Sequence, residues 1–145
     1  MKVSASFGTL TSTDELAVLL QEGQIVKEAA DGTRTRAHAL PTDSTFVLQI
    51  EEAFDLGGDR LFIVYRDSAW GAHERNLSFV VYDLAAMAIE SRGRVPEADY
   101  YLPQSSQRVY ILRARRLEVL DVTNGRLDRV ADSVGESVDV LLPGG

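Results

Sequence analysis

A chain of 145 residues with 45% hydrophobic and 26% charged residues has the composition of one globular domain, which argues against disorder over most of its length. Its formal net charge of −7 repels phosphate backbones, disfavouring nucleic acid and favouring a basic protein as partner. The lack of cysteine excludes disulfides, thiol nucleophiles and thiolate metal sites; with no membrane-length apolar stretch and no signal-peptide core behind Lys2, a cytoplasmic location is expected.

In chain order, Val3–Leu10 is a first strand candidate, and two readings of the next segment compete. Ser12-Thr13-Asp14-Glu15 fits a helix capping box, and Leu16, Leu19 and Leu20 have helical spacing, so 14–22 could be a short helix. Leu16–Leu20 followed by Gln24–Lys27 also reads as a hairpin turning at Glu22-Gly23, and the repeat register below favours this strand reading. Thr33–Leu40 and Phe46–Ala53 follow as strands. Asp55-Leu56-Gly57-Gly58-Asp59 reads as a tight turn, without the alternating oxygen ligands of a calcium loop.

Arg60–Arg66 and Leu77–Asp83 form the clearest strand pair, β-branched and aromatic. Ala88–Val95 and Tyr100–Leu102 lead to a second clear pair, Arg108–Arg113 and Leu117–Val122, and Arg126–Val130 ends the series. Both clear pairs have nearly unbroken apolar runs, the pattern of strands covered on both faces. Gly32, Gly93 and Gly125 are expected to punctuate the segments.

The polar residues that open each second strand, Asp14, Asp59 and Gln107, are spaced by about 45 to 48 residues, within the range of blade-type repeats. The expected fold is therefore all-β: three tandem four-stranded antiparallel units, approximately 1–43, 44–96 and 97–142, in one domain. They would form an incomplete, propeller-like arc. The alternative is a β-sandwich or open barrel with one short N-terminal helix. Closed propellers hold about four to eight blades, so three units would leave open sheet edges, leaving room for a homodimer or a larger parent structure.

Val119-Leu120-Asp121-Val122-Thr123-Asn124-Gly125-Arg126-Leu127 resembles the turn between the third and fourth strands of YVTN- and quinoprotein-type β-propeller repeats. Val81–Met87 resembles it without the turn glycine, and the first unit has only Ala30-Asp31-Gly32-Thr33. The resemblance implies blade-like sheets and no particular chemistry.

No residue pattern points to catalysis, so no enzyme activity, metal or cofactor is expected. His38 and His73 stand without partners at metal-ligand spacing, and no serine sits in a nucleophile elbow. Glu51 and Glu52 are strand neighbours and face apart. The segment Asp67–Asn76 is the longest connection within a unit and holds the sole tryptophan, Trp70, beside His73 and Arg75. Trp70 serves either as a binding anchor or as a lid on the core. Blade geometry would gather Trp70, His73, Arg75, Asp43, Glu97, Arg115 and Arg116 on one side as a partner-binding surface. The function expected is a protein-binding module, with an immunity-type inhibitor that occludes a toxin or enzyme as its specific form. A small-ligand or carbohydrate-binding domain, or a structural fragment of a larger propeller, is the alternative.

Overall fold

A computed structural model describes residues 5–20, 23–41, 47–67 and 76–131. They form twelve strands and, among these residues, no helix. The first sheet holds β1 (Ala5–Leu10), β2 (Leu16–Leu20), β3 (Gln24–Glu28) and β4 (Arg34–Ala39). The second holds β5 (Val47–Gly57), β6 (Arg60–Asp67), β7 (Asn76–Asp83) and β8 (Ala88–Pro96). The third holds β9 (Tyr100–Pro103), β10 (Arg108–Arg113), β11 (Arg116–Asp121) and β12 (Arg126–Ala131). Each sheet runs in simple sequence order with antiparallel neighbours. The three four-stranded units expected from the repeat register are present.

The helix competing for 14–22 does not form. The Ser12 hydroxyl that would cap it donates to Asp59 at 2.6 Å, and Thr11 Oγ1 holds a turn by accepting from the amides of Thr13 at 3.3 Å and Glu15 at 3.1 Å. Ser and Thr side chains satisfy a turn backbone by the same chemistry with which they cap a helix. Alternation then decides, because Ala17 and Leu19 are buried toward the second sheet while Leu16 is 43% exposed on the other side.

The middle sheet is covered on both faces. Phe62, Val64, Leu77, Phe79 and Val81 pack against Tyr101, Val109, Ile111 and Leu120 of the third sheet. Leu61, Ile63, Tyr65, Val80 and Tyr82 pack against Ala17, Leu19 and Ile25 of the first. Alternate residues of β6 and β7 thus enter two cores, which explains their unbroken apolar run. Phe62 is the centre of one core, with ring centroids 5.1 Å from Phe54 and 5.7 Å from Phe79.

The second clear pair is covered unevenly: on its outward face Leu112 and Leu117 are buried, with Leu102 and Tyr110 packed against them. Val109, Ile111 and Leu120 are buried against the middle sheet. Val119, expected in the core, pairs with Tyr110 on the outward face, and both are only half-buried. No described strand lies beyond that face.

Neighbouring sheets come closest through their first strands, β1 with β5 and β5 with β9. The sheets therefore fan around an axis beside those strands and make an open arc. Polar ties cross the seams. Ser12 donates its amide to Asp59 at 2.7 Å and its hydroxyl at 2.6 Å, and Lys27 donates to the Leu84 carbonyl at 2.9 Å. Arg60 holds Glu90 at 2.7 Å and reaches the Ser106 carbonyl of the third sheet.

Two turns depart from the sequence reading. β5 continues to Gly57 through a series of bulges, so the expected five-residue turn shrinks to Gly58-Asp59, with φ of 64° and 61°. Positive φ at both positions matches the right-handed twist of the flanking strands. Gly93 lies inside β8 and not in a turn. It pairs with Phe79, and a Cβ placed there would stand 2.9 Å from the ring. The glycine makes room for the aromatic side chain across the strand pair.

Candidate interaction end

Within each sheet the chain turns at two ends, and the ends differ. One end gathers the hairpin turns that open at Thr11, Ala29, Gly58, Leu84, Gln104 and Val122. The other gathers the connections between sheets, with the β6–β7 and β10–β11 connections beside them. Contacts draw this second end together. Tyr65 of β6 donates its hydroxyl to the Pro41 carbonyl at 2.5 Å, and Tyr101 of β9 donates to the Pro96 carbonyl at 2.6 Å. Burial pushes the Tyr101 phenol well above its ordinary pKa, with nearby carboxylates Glu51, Glu97 and Glu52 adding to the rise. The phenol is thus held as a hydrogen-bond donor.

Of the residues expected to bind a partner, Trp70, His73, Arg75 and Asp43 lie outside the described residues. Glu97, Arg115 and Arg116 are all at this end. Glu97 accepts from Arg66 at 3.1 Å, and Arg66 also faces Glu51 at 3.5 Å. The Arg66 side chain is 9% exposed and that of Glu97 is 52% exposed. Glu97 therefore anchors a buried guanidinium while presenting half of its surface outward.

The run Arg113-Ala114-Arg115-Arg116 divides in the structure. Arg113 is bound to the buried Glu118 at 2.7 Å, and Arg116 begins β11. Ala114 and Arg115 make a two-residue turn with φ of 47° and 63°. That region costs a non-glycine residue about 1–2 kcal/mol. The turn is held at its base, because the Ala114 amide donates to Asp99 Oδ2 at 3.3 Å. Arg115 is exposed at the tip.

Arg92 and Arg94 escaped the sequence reading. They line a groove of about 260 Å³ with Tyr65, Asp67, Ser78 and Gly93, at the point where β6 ends. Asp67 is 2% exposed and Ser78 8%. The signal was present: Glu90, Arg92 and Arg94 alternate along β8, the mark of a solvent-facing strand side.

At the hairpin end a cavity of about 220 Å³ opens between the first two sheets, lined by Thr11, Thr13, Glu15, Lys27, Asp59 and neighbours. Its polar groups are engaged within the protein. Lys27 contacts Glu15 at 3.5 Å besides the Leu84 carbonyl, and Asp59 holds Ser12. The Ser12 hydroxyl and amide, then the Lys27 charge, keep the Asp59 carboxyl below its ordinary pKa.

Known protein families and curated proteins give no match to this chain. Its function therefore has to be argued from its own surface. Among the described residues, no three His, Asp or Glu side chains form a group able to hold a metal ion.

Proposed function

We propose that the chain is a protein-binding module that engages its partner through the connection end, acting as an immunity-type inhibitor that covers a surface of a toxin or enzyme. The observation that carries this reading is Arg115, held exposed on a turn whose backbone is unfavourable for a non-glycine residue. Local strain kept in a rigid scaffold is a pointer to function. The surroundings suit a protein contact: arginines at 92, 94 and 115, carboxylates at 97 and 99, and the connection that carries Trp70. The net charge of −7 supports a basic partner, whose approach it would accelerate.

The reading of a small-ligand site has less support. The larger groove, at about 260 Å³, falls below the usual range of about 300–1,000 Å³ for ligand pockets, and the polar groups around the cavity already serve one another.

The test uses Arg115→Gly and Trp70→Ala, with a partner captured from the native cell extract. Arg115→Gly relieves the turn, so its melting temperature should hold or rise while partner binding weakens. Trp70→Ala should weaken binding by about 2 kcal/mol or more, with folding intact. Unchanged binding in both variants would remove the connection end from consideration, and a much lower melting temperature for Trp70→Ala would make that residue a lid on the core.

A further inference from the structure

The turn that joins β11 to β12 is Val122-Thr123-Asn124-Gly125, and its Asn124-Gly125 step is chemically reactive. Both residues are exposed. Gly125 stands at φ of 74°, with no atom of a non-neighbouring residue within 4 Å of the place a Cβ would take, so the space beside its backbone nitrogen is open. The Asn124 side-chain oxygen accepts from the Arg126 amide at 2.8 Å, the local bond by which asparagine closes a turn. That bond holds the side-chain amide against the backbone, beside the Gly125 nitrogen. An N–H aimed at this oxygen also stabilises negative charge that develops on it during attack at Cγ.

The reaction needs only water. The Gly125 nitrogen attacks Asn124 Cγ, the bond from Cγ to the side-chain nitrogen breaks, and ammonia leaves with the proton that Gly125 gives up. The product is a succinimide ring, in which nucleophile and target already belong to one chain. Water then opens the ring at either carbonyl. One opening leaves aspartate at position 124, and the other leaves isoaspartate, with the backbone running through the side chain. Among the described residues no other pair combines these features. Asn76, the chain's other asparagine, is followed by Leu77 and lies in β7 paired with Pro96. Asp31-Gly32 has matching bonds, from Thr33 to Asp31 Oδ1 at 2.8 Å and from the Gly32 amide to the Ala29 carbonyl at 2.9 Å. The Thr33 hydroxyl and amide keep the Asp31 carboxyl below its ordinary pKa, and a carboxylate resists attack.

We propose that Asn124-Gly125 is a site of spontaneous covalent modification, where the chain converts Asn124 through a succinimide to aspartate and isoaspartate when the β11–β12 turn opens. In the closed turn the Gly125 amide donates to the Asp121 carbonyl at 2.8 Å, so the attacking nitrogen is tied down. Asp121 is itself held, accepting from the Thr123 amide at 2.9 Å and the Thr123 hydroxyl at 2.5 Å. Among the described residues β12 is an edge strand and mostly exposed, and such strands open most readily. The two products differ in effect. Aspartate keeps the backbone and can accept from Arg126 as before. Isoaspartate adds a backbone carbon inside the turn that sets Asp121 opposite Arg126 and Leu120 opposite Leu127. Leu127 packs on the seam between the second and third sheets, so a slipped β12 loosens the rim of that seam. The site lies at the hairpin end and stands or falls separately from the partner-binding reading.

The test holds the full chain at mildly alkaline pH, native and in concentrated urea, and follows Asn124 by peptide mapping with mass detection. Both samples should convert Asn124 to a mixture of aspartate and isoaspartate, the native chain more slowly. Asn124→Gln, whose ring would need a sixth member, should stay unmodified in both. Thr123→Ala removes one bond to Asp121 and should speed the native reaction about fivefold, the change that one hydrogen bond makes in an opening equilibrium, with no change in urea. If that variant does not fold, the native and urea rates of the unaltered chain carry the test. Aspartate as the sole product would exclude the succinimide and overturn the proposal. Equal rates in the native chain and in urea would overturn the gating by the turn, and no conversion of Asn124 in urea would remove the site.

Discussion

Two buried tyrosine hydroxyls show how one side-chain oxygen can help or harm. Tyr101 donates to the Pro96 carbonyl at 2.6 Å, whereas the buried Tyr82 hydroxyl finds no partner among the described residues. Burial, with Asp83 nearby, raises the Tyr82 pKa, so the hydroxyl stays protonated and unsatisfied. Burying a polar group without a partner is costly, and a typical satisfied bond contributes about 1 kcal/mol. Tyr82→Phe should therefore melt at or above the native temperature, and Tyr101→Phe should lose about 1 kcal/mol in urea denaturation. Asp59 supplies a pH prediction. Its carboxyl titrates below its ordinary value in the folded state, so the stabilisation from Ser12 is present above the unfolded value of about 4 and is lost as pH falls through the depressed folded value. Asp59→Asn should flatten the acid limb of a stability-versus-pH curve below about pH 4 and leave its alkaline limb unchanged.

At the scale of elements, the pairing of β7 with β8 depends on a missing side chain. A Cβ on Gly93 would meet the Phe79 ring at 2.9 Å, and Phe79 is fixed between Phe62 and the third sheet. Gly93→Ala should cost about 1–3 kcal/mol by overpacking, measured by chemical denaturation. A loss near zero would mean that the ring can move aside. The turns between third and fourth strands carry the clearest repeat mark. Asp83 and Asp121, each the last residue of its third strand, accept an amide hydrogen bond from two residues on, both at 2.9 Å, whereas Asp31 accepts one from Thr33 at 2.8 Å from inside its turn, as Asn124 does from Arg126. In the second unit Met87, with φ of 53°, occupies the place that Gly125, with φ of 74°, fills in the third. The missing glycine in Val81–Met87 thus changed the residue and kept the backbone. A sequence lists which residue is there; only the hydrogen bonds around it show that the turn survives.

For the whole molecule, the two larger core clusters among the described residues are seams on either side of the middle sheet, and a third, of Leu112 and Leu117, lies on the outward face of the third sheet. Ile111 belongs to the seam between the second and third sheets, while Val119 faces outward. Ile111→Ala should cost about 2–5 kcal/mol, and Val119→Ala clearly less, by equilibrium unfolding of a sample whose assembly state is fixed. Equal losses would place Val119 in a covered core after all.

The sequence by itself determined the strands. β-branched and aromatic runs, turn residues and a repeat of about 45–48 residues are local signals, and they gave twelve strands in three units close to their observed bounds. Three matters were decided only by the tertiary structure. Leu16–Leu20 became a strand because Ala17 and Leu19 found the middle sheet, which no capping motif encodes. Val119 and Tyr110 were left half-exposed because apolar residues record that a strand expects cover, not which sheet supplies it. At the connection end, the arginine cluster separated into a paired Arg113 and an exposed Arg115, because burial and ion pairing depend on side chains distant in the chain or on which face of a strand a residue occupies. A one-residue step along a strand reverses the face, so neighbours in sequence came to serve a core, a turn and a surface.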